Sequence, residues 1–491
     1  MRVSSYLIGS PLKDKSGWIL MHGYTGALDR VSAEIGSLLF SCRGQPIETS
    51  TLHNSTTSHL QQRGYLTHLS PEEEKDLLIH IASEIREQEL LTSRTSLVIV
   101  PSHKCNLRCP YCFQPHSHHE GKDSYNTILT ESQVHAIFSI ISKFKHPGAF
   151  SRALGIGNPH NNTTLNKRSG NSSPLITLFG GEPLLPETHA VVSLIVQLAQ
   201  DNGYKVDAIT NGTFISLYES LIGPSAISRL QVTLDGSPAT HNKRRIGPGY
   251  KETFSVIESN IKLALSRGAG VSVRINVDKT NLHDLEYLQD LFCANKWFEN
   301  PLFHVQAAAV HGGENPTKED QSLSHAELVN STTLLKSNRS EISHDATNTI
   351  ESYENTARDV LKKCMLAKAY PFRSASFCGA EKGMLVFEPL GNVFSCWEDL
   401  GQPELKIGSF DSNGLQLDRE KALAWLTRFP GAIEECSRCP YALIHASGCA
   451  KEAIRSSGQM NSPSCMSFQE FFPSTLAYQY AELESQLLTR A

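Results

Sequence analysis

No stretch of the 491-residue chain is apolar over the roughly 18 to 20 residues that a bilayer span needs, and the N-terminus lacks a basic segment followed by an apolar core. Neither a membrane-spanning nor a secreted protein is expected, and the cytoplasm is the expected compartment. Charge of one sign is missing too: 45 Lys and Arg against 50 Asp and Glu leave a net charge of −5. The strongly basic face that grips a nucleic-acid backbone is therefore not expected. What the chain has in quantity is cysteine, 12 residues in all. In a reducing compartment these do not pair as disulfides, which leaves metal or cluster ligation as the better use for them.

The length suits about three domains. Residues 1–94 hold two apolar stretches, Trp18-Ile19-Leu20-Met21 and Ile35-Gly36-Ser37-Leu38-Leu39-Phe40. Ser70-Pro71-Glu72-Glu73 then reads as an N-cap, a proline at the first helical position and a capping-box acid. Leu77, Ile81 and Ile85 follow on one helical face, so a small α+β domain is expected. Across 95–330, six short β-branched runs, at 97–100, 175–179, 206–209, 230–234, 271–275 and 303–306, alternate with helical patterns. That alternation predicts an α/β fold with a parallel sheet or partial barrel, its active site at the C-terminal ends of the strands. The polar stretch 155–174 reads as a surface insertion and 331–363 as a linker. Residues 364–470, punctuated by Gly, Pro and Cys, are expected to be held by ligands more than by a core, and 471–491 to form a helix. No internal repeat is present.

Cys105-Asn106-Leu107-Arg108-Cys109-Pro110-Tyr111-Cys112 directly follows the first β-branched run. Three thiolates on one tight loop leave the fourth iron of a cubane without a protein ligand, open to a small molecule. The competing use is a zinc knuckle completed by a distant ligand. The motif, with its aromatic Tyr111, resembles that of the radical S-adenosylmethionine (SAM) enzymes, and the resemblance extends to Gly180-Gly181-Glu182-Pro183 after the second run. It implies a SAM-cleaving [4Fe-4S] cluster on Cys105, Cys109 and Cys112 in a partial (β/α)6 barrel. It implies Tyr111 near the adenine, and Gly180, Gly181 and Glu182 around the amino group of SAM. Asn211 closes the third run; Thr233 and Asp235 would then lie near the ribose, and Arg274 would face the carboxylate. Each of these also reads as turn or strand-end polarity, and Arg244 and Arg245 read equally well as solvated cations.

Cys378, Cys396, Cys436, Cys439, Cys449 and Cys465 form a second set whose spacing resembles the SPASM extension, a cysteine-rich domain carrying auxiliary [4Fe-4S] clusters. One expected cysteine is replaced by His445. The resemblance implies one or two auxiliary clusters, one on Cys436, Cys439, His445 and Cys465, the other on Cys378, Cys396 and Cys449 with Cys364 as a candidate fourth ligand. For His445 the alternative is packing without ligation. Cys42 and Cys293 read as structural, and His116, His118 and His119 as part of a solvated loop.

Met21-His22-Gly23-Tyr24-Thr25-Gly26-Ala27 and Arg63-Gly64-Tyr65-Leu66 resemble the front ends of SPASM peptide maturases. This implies a winged-helix-like N-terminal domain that takes up the leader of a precursor peptide as an added strand. Flavodoxin or ferredoxin is the implied reductant. The implied reaction is an oxidative side-chain cross-link, as a cyclophane carbon-carbon or ether bond or a thioether. Anaerobic sulfatase maturases are similar but carry a catalytic aspartate where this chain has Trp397; Glu398 and Asp399 follow and are the candidate bases. Oxidation of a protein Cys or Ser, peptide epimerisation, and a non-catalytic iron-sulfur protein are the alternatives.

Overall fold

The six β-branched runs become six parallel strands, β1 (Leu97–Ile99), β2 (Leu175–Leu178), β3 (Lys205–Thr210), β4 (Ile227–Thr233), β5 (Gly270–Val277) and β6 (Phe303–Ala309). They pair in sequence order, each with the next. Strands covered on both faces need apolar residues throughout, and all three residues of β1 are buried. Helices make the crossovers: Glu131–Ser142 between β1 and β2, His189–Asp201 between β2 and β3, Phe254–Ser266 between β4 and β5, and Asp284–Ala294 between β5 and β6. Phe254, Ile257 and Ile261 line the buried face of the third of these, as their spacing predicts. The α/β partial barrel expected from the alternation is the one observed.

The computed structural model describes residues 1–48, 50, 52–114, 126–157, 173–310, 323–340, 351–352, 360–361 and 373–488. Cys364, the histidines 116, 118 and 119, most of the polar stretch 155–174 and most of the linker 331–363 lie outside them. The sheet extends beyond the six strands. A short β7 (Glu351–Ser352) runs parallel to β6, and on the other side β8 (Leu385–Phe387) runs parallel to β1. Strands β9 (Asn392–Phe394), β10 (Gly408–Asp411) and β11 (Gly414–Leu417) then add antiparallel. Part of the cysteine-rich stretch therefore continues the barrel sheet, and Cys396 lies two residues beyond the end of β9.

This sheet belongs to a unit made of Leu91–Tyr353 and Gly379–Leu426; the other unit is Met1–Leu90, Glu354–Cys378 and Thr427–Ala491. In the latter, Leu7–Pro11, Trp18–His22 and Leu28–Val31 form a three-stranded antiparallel sheet. Leu7, Leu20, Leu39, Leu60 and Tyr65 pack together beside it. The helix starting at Pro71 opens on the predicted capping box: the Glu73 amide donates to Ser70 Oγ at 3.2 Å, and the Ser70 amide to Glu73 Oε2 at 2.7 Å. A second cluster joins Tyr6, Tyr24, Leu78 and Ala82 to Ala442 and Leu443, so the first ninety residues and the last sixty-five share one core. No helix among the described residues is long and apolar enough to cross a membrane.

Candidate functional site

The cysteine loop leaves the C-terminal end of β1 and is clamped from two sides. On one side lie Gly180 and Gly181, after β2. A Cβ on Gly181 would stand 2.2 Å from the His103 carbonyl oxygen and 2.4 Å from that of Lys104. Gly180, at φ +135, would place one 2.6 Å from the Ser102 carbonyl oxygen. In the chain itself, then, the two glycines admit the backbone of 102–104, the three residues leading into Cys105. The amide of Glu182 completes the clamp by donating to the Lys104 carbonyl at 2.8 Å. His103, buried, is held by Glu388 after β8 at 2.5 Å.

The Glu182 carboxylate is buried. Oε1 accepts from the Leu184 amide at 2.9 Å and the Thr210 hydroxyl at 2.6 Å, and Oε2 from the Asn211 amide at 2.6 Å. Burial raises its pKa, and those hydrogen bonds oppose the rise. A carboxylate has about four acceptor positions, so one on Oε2 remains for a further donor. Asn211 in turn donates to Asn106 Oδ1 at 2.7 Å and points Nδ2 at the Cys105 sulfur, 3.9 Å away. The ends of β2 and β3 thus both bear on the first cysteine.

On the other side lies the segment 241–247, beyond β4. The Arg108 amide donates to the Ile246 carbonyl at 2.6 Å, and a Cβ on Gly247 would meet the Asn106 carbonyl oxygen at 2.0 Å. The Tyr111 hydroxyl sits between Asp235, to which it donates, and Arg245, whose NH1 donates to it at 2.7 Å. The Arg244 guanidinium lies over the Tyr111 ring, 4.9 Å from its centroid, while its NH1 reaches Asp278 at 2.6 Å. Asp235 also accepts from the Asn276 amide at 3.0 Å, which ties the group to β5. Thr233 ends β4, and Arg274 on β5 donates to Asn276 Oδ1 at 2.9 Å. Arg244 and Arg245, equally readable as solvated from the sequence, are both held inside this group. Only the run of two cations after the fourth strand hinted at it.

Burial pushes all three thiols of the loop up, Cys112 to about 11. At Cys109 the Arg245 charge acts in the opposite direction. Cys105 feels both of the other thiols electrostatically, and Cys112 feels Cys109. A cationic iron core at the loop would therefore displace protons as it bound. Among the described residues no three His, Cys, Asp or Glu side chains are gathered as for a single metal ion.

Residues 94–250 match the family model described as a 4Fe-4S single cluster domain. The anaerobic sulfatase-maturing enzyme anSMEcpe with bound AdoMet is 18% identical at a TM-score of 0.55, over 79% of this chain and 96% of that one. The chain has the radical SAM fold. The same enzyme with AdoMet and a Cp18Cys peptide matches at 17% identity and a TM-score of 0.53, over 79% of this chain and 100% of that one. SuiB of Streptococcus suis bound to S-adenosylmethionine is 15% identical over 95% of this chain and 99% of that one, with a TM-score of 0.48. The comparison with curated proteins returned no match.

Alongside the radical SAM barrel, the second cysteine set is divided: Cys396 lies in the sheet-bearing unit, and Cys378, Cys436, Cys439, Cys449 and Cys465 in the other. Cys436 and Cys439 share a turn closed by the Cys439 amide on the Cys436 carbonyl at 3.0 Å. Burial pushes the Cys436 thiol up to about 11, with the Ser447 hydrogen bond opposing the rise and Cys439 and Cys465 adding to it. The His445 ring stacks on Phe468 at 4.5 Å. Gly23 explains its own place in the sequence: a Cβ there would lie 2.1 Å from the Pro440 carbonyl oxygen, beside the cysteine turn. Tyr6 secures the same turn through its hydroxyl, which donates to the Ser437 carbonyl at 2.5 Å.

Arg428 is fully buried and donates to the carbonyls of Met460 at 2.8 Å, Gly448 at 2.8 Å, Ser447 at 3.1 Å and Ser462 at 3.0 Å. It therefore fastens the loop before Cys449 to the loop before Cys465. Arg428→Met strips four carbonyls, two of them in buried hydrogen bonds, of a charged donor, and a loss of about 3 kcal/mol is expected. Chemical denaturation checks this: a midpoint unchanged from the parent would show that water replaces the guanidinium at no cost.

Proposed function

We propose that the chain is a radical SAM enzyme that modifies a peptide, joining two of its side chains by an oxidative cross-link. The observation that carries this is the three-cysteine loop at the C-terminal end of β1, held by Gly180-Gly181 on one side and by Tyr111, Asp235 and Arg245 on the other. Its donor set fits the cofactor: three partly buried thiols on one loop, and a buried carboxylate, Glu182, with one acceptor position left for an amine. Cys105, Cys109 and Cys112 would hold a [4Fe-4S] cluster. Glu182 would receive the amino group of SAM, with Asn211, Thr233, Asp235 and Arg274 around the rest of it. When bound and reduced, the cluster supplies the electron that splits SAM into methionine and a 5′-deoxyadenosyl radical. The chain's own task is to exclude water and hold the target carbon close.

Cys436, Cys439 and Cys465, with His445, would hold one auxiliary cluster, and Cys378, Cys396 and Cys449 a second. Oxidative cross-linking needs an acceptor for the substrate's electron, a need that auxiliary clusters meet and epimerisation does not have. Trp397 favours cross-linking over sulfatase-type oxidation, because the position holds a ring packed at a tilt against Phe179, centroids 5.3 Å apart, where an acid would be needed. Glu398 and Asp399, in the same short turn, are the candidate bases. The partners are a precursor peptide whose leader pairs with the N-terminal domain and a flavodoxin or ferredoxin, in the cytoplasm.

Cys396→Ala tests the division of labour. SAM cleavage to 5′-deoxyadenosine should persist, while modified peptide falls by about a hundredfold. Liquid chromatography of the nucleoside and mass spectrometry of the peptide read the two separately, and equal losses in both would refute separate roles. The substrate is tested with short peptides encoded beside the gene. A cross-link removes a pair of hydrogen atoms, epimerisation leaves the mass unchanged, and Cys or Ser oxidation leaves a carbonyl that captures a hydrazide.

A further inference from the structure

Three aromatic rings form a row that runs from the cysteine loop, past the end of β2, to the turn after β9. Each stands next in the chain to a residue of the proposed site: Phe113 follows Cys112, Phe179 precedes Gly180, and Trp397 follows Cys396. The rings of Phe113 and Phe179 have centroids 6.3 Å apart and planes 9° apart, and those of Phe179 and Trp397 are 5.3 Å and 32° apart. Backbone hydrogen bonds hold the row in place. The Phe179 amide donates to the Ile99 carbonyl at 3.0 Å, and the Asp399 amide closes the turn around Trp397 on the Cys396 carbonyl at 3.2 Å. All three residues belong to the sheet-bearing unit.

The middle ring is buried, Phe179 being 8% exposed, but Phe113 and Trp397 at the two ends are only half-buried. Among the described residues neither end ring meets a further aromatic side chain. The row is therefore open at both ends, where a core cluster would be closed. Next to Phe113, Nε2 of Gln114 is buried and makes no hydrogen bond. A donor in that state calls for an acceptor, which a peptide carbonyl supplies.

The angles between the rings select the occupant. Rings that cage a cation turn their faces toward it from several sides; these planes differ by only 9° and 32°, which is how a stack is built. Aromatic pairs favour offset or edge-on contact at about 4.5 to 7 Å, so another ring can extend the row at either end. An aliphatic side chain gains burial there but no ring contact. Glu398 and Asp399, on the same turn as Trp397, oppose an acidic one.

We propose that Phe113 and Trp397, with Phe179 between them, are specificity-determining residues that take an aromatic side chain of the substrate peptide and hold it between the cysteine loop and Cys396. This rests on the function proposed above and names the class of peptide: one whose modified segment contains an aromatic residue.

The test uses the full chain, reconstituted anaerobically, and three capped pentapeptides of serine and glycine with tryptophan, leucine or lysine at the centre. Dissociation constants are read by ligand-observed nuclear magnetic resonance, which needs no turnover. The tryptophan peptide should bind about fivefold more tightly than the other two. Trp397→Leu and Phe113→Leu should each bring that ratio down to about twofold or less, while Trp397→Phe, which keeps a ring, should retain about threefold. Equal affinities in the parent, no binding of any peptide at millimolar concentration, or tightest binding of the lysine peptide overturns the proposal. So does a preference undiminished in both leucine variants. Circular dichroism shows whether each variant folds; should Trp397→Leu not fold, Phe113→Leu decides on the same criterion. Formation of 5′-deoxyadenosine from SAM and dithionite is read on the same parent protein. Its absence overturns the proposed function and leaves the ring preference to stand or fall on the binding ratio.

Discussion

Cys105→Ala should abolish SAM cleavage, with 5′-deoxyadenosine falling by about a hundredfold or more and the protein losing about four iron atoms per chain. The reason is geometric as well as chemical. Cys105 is the first thiol after the loop has passed beneath Gly180 and Gly181, and its sulfur faces the Leu107 amide at 3.4 Å and Asn211 Nδ2 at 3.9 Å. Those donors stabilise a thiolate. Alanine removes a ligand and leaves two thiolates to hold a cubane that needs at least three. Cys293→Ala is the matching control: that residue is exposed, on the helix Asp284–Ala294, and its loss should leave both readouts unchanged. SAM cleavage at the parent rate in Cys105→Ala would remove the basis for the proposed chemistry.

The second large effect is expected far more cheaply in atoms, by adding one methyl group. Gly181→Ala drives a Cβ to within 2.2 Å and 2.4 Å of two carbonyl oxygens of the backbone leading into the cysteine loop. A side chain could rotate away, but here the obstructing atoms are main chain, tied in turn by the Glu182 amide on Lys104 and by His103 on Glu388. Destabilisation of about 3 kcal/mol is expected, together with a reconstituted iron content reduced severalfold because the loop is pushed from its place. Gly249→Ala separates the two ways a glycine can matter. Its φ is +79 but an added Cβ meets nothing within 4 Å, so only the cost of the left-handed conformation, about 1 kcal/mol, should appear, with iron content intact. A Gly181→Ala protein as stable and as iron-rich as Gly249→Ala would refute the clamp.

The same glycines show how the sequence can point to the right residues for an incomplete reason. A glycine pair after a strand reads as backbone approaching a ligand; in the fold, the pair meets the backbone of 102–104, and Glu182 behind it ties β2 to β3. Arg245 shows the opposite case. Nothing in its neighbourhood in the chain separates it from a solvated cation, because its partner Tyr111 is 134 residues away. Gly23 was visible as part of a motif, but its need for glycine comes from Pro440. His445, visible as a substitution in a cysteine pattern, packs on Phe468.

From the sequence alone came whatever depends on short spacing: three thiols within eight residues, strands and helices alternating with their own periods, a capping box before Pro71. Those features are local, since hydrogen bonds along a helix and the reach of a tight loop are settled by near neighbours. The tertiary structure decided which charges are buried, which carbonyls a glycine must admit, and that β8 to β11 extend the barrel sheet while Cys436, Cys439 and Cys465 fall in the unit of the first ninety residues. Burial and charge pairing arise only when segments distant in the chain exclude water from between them, and no spacing along one segment encodes that.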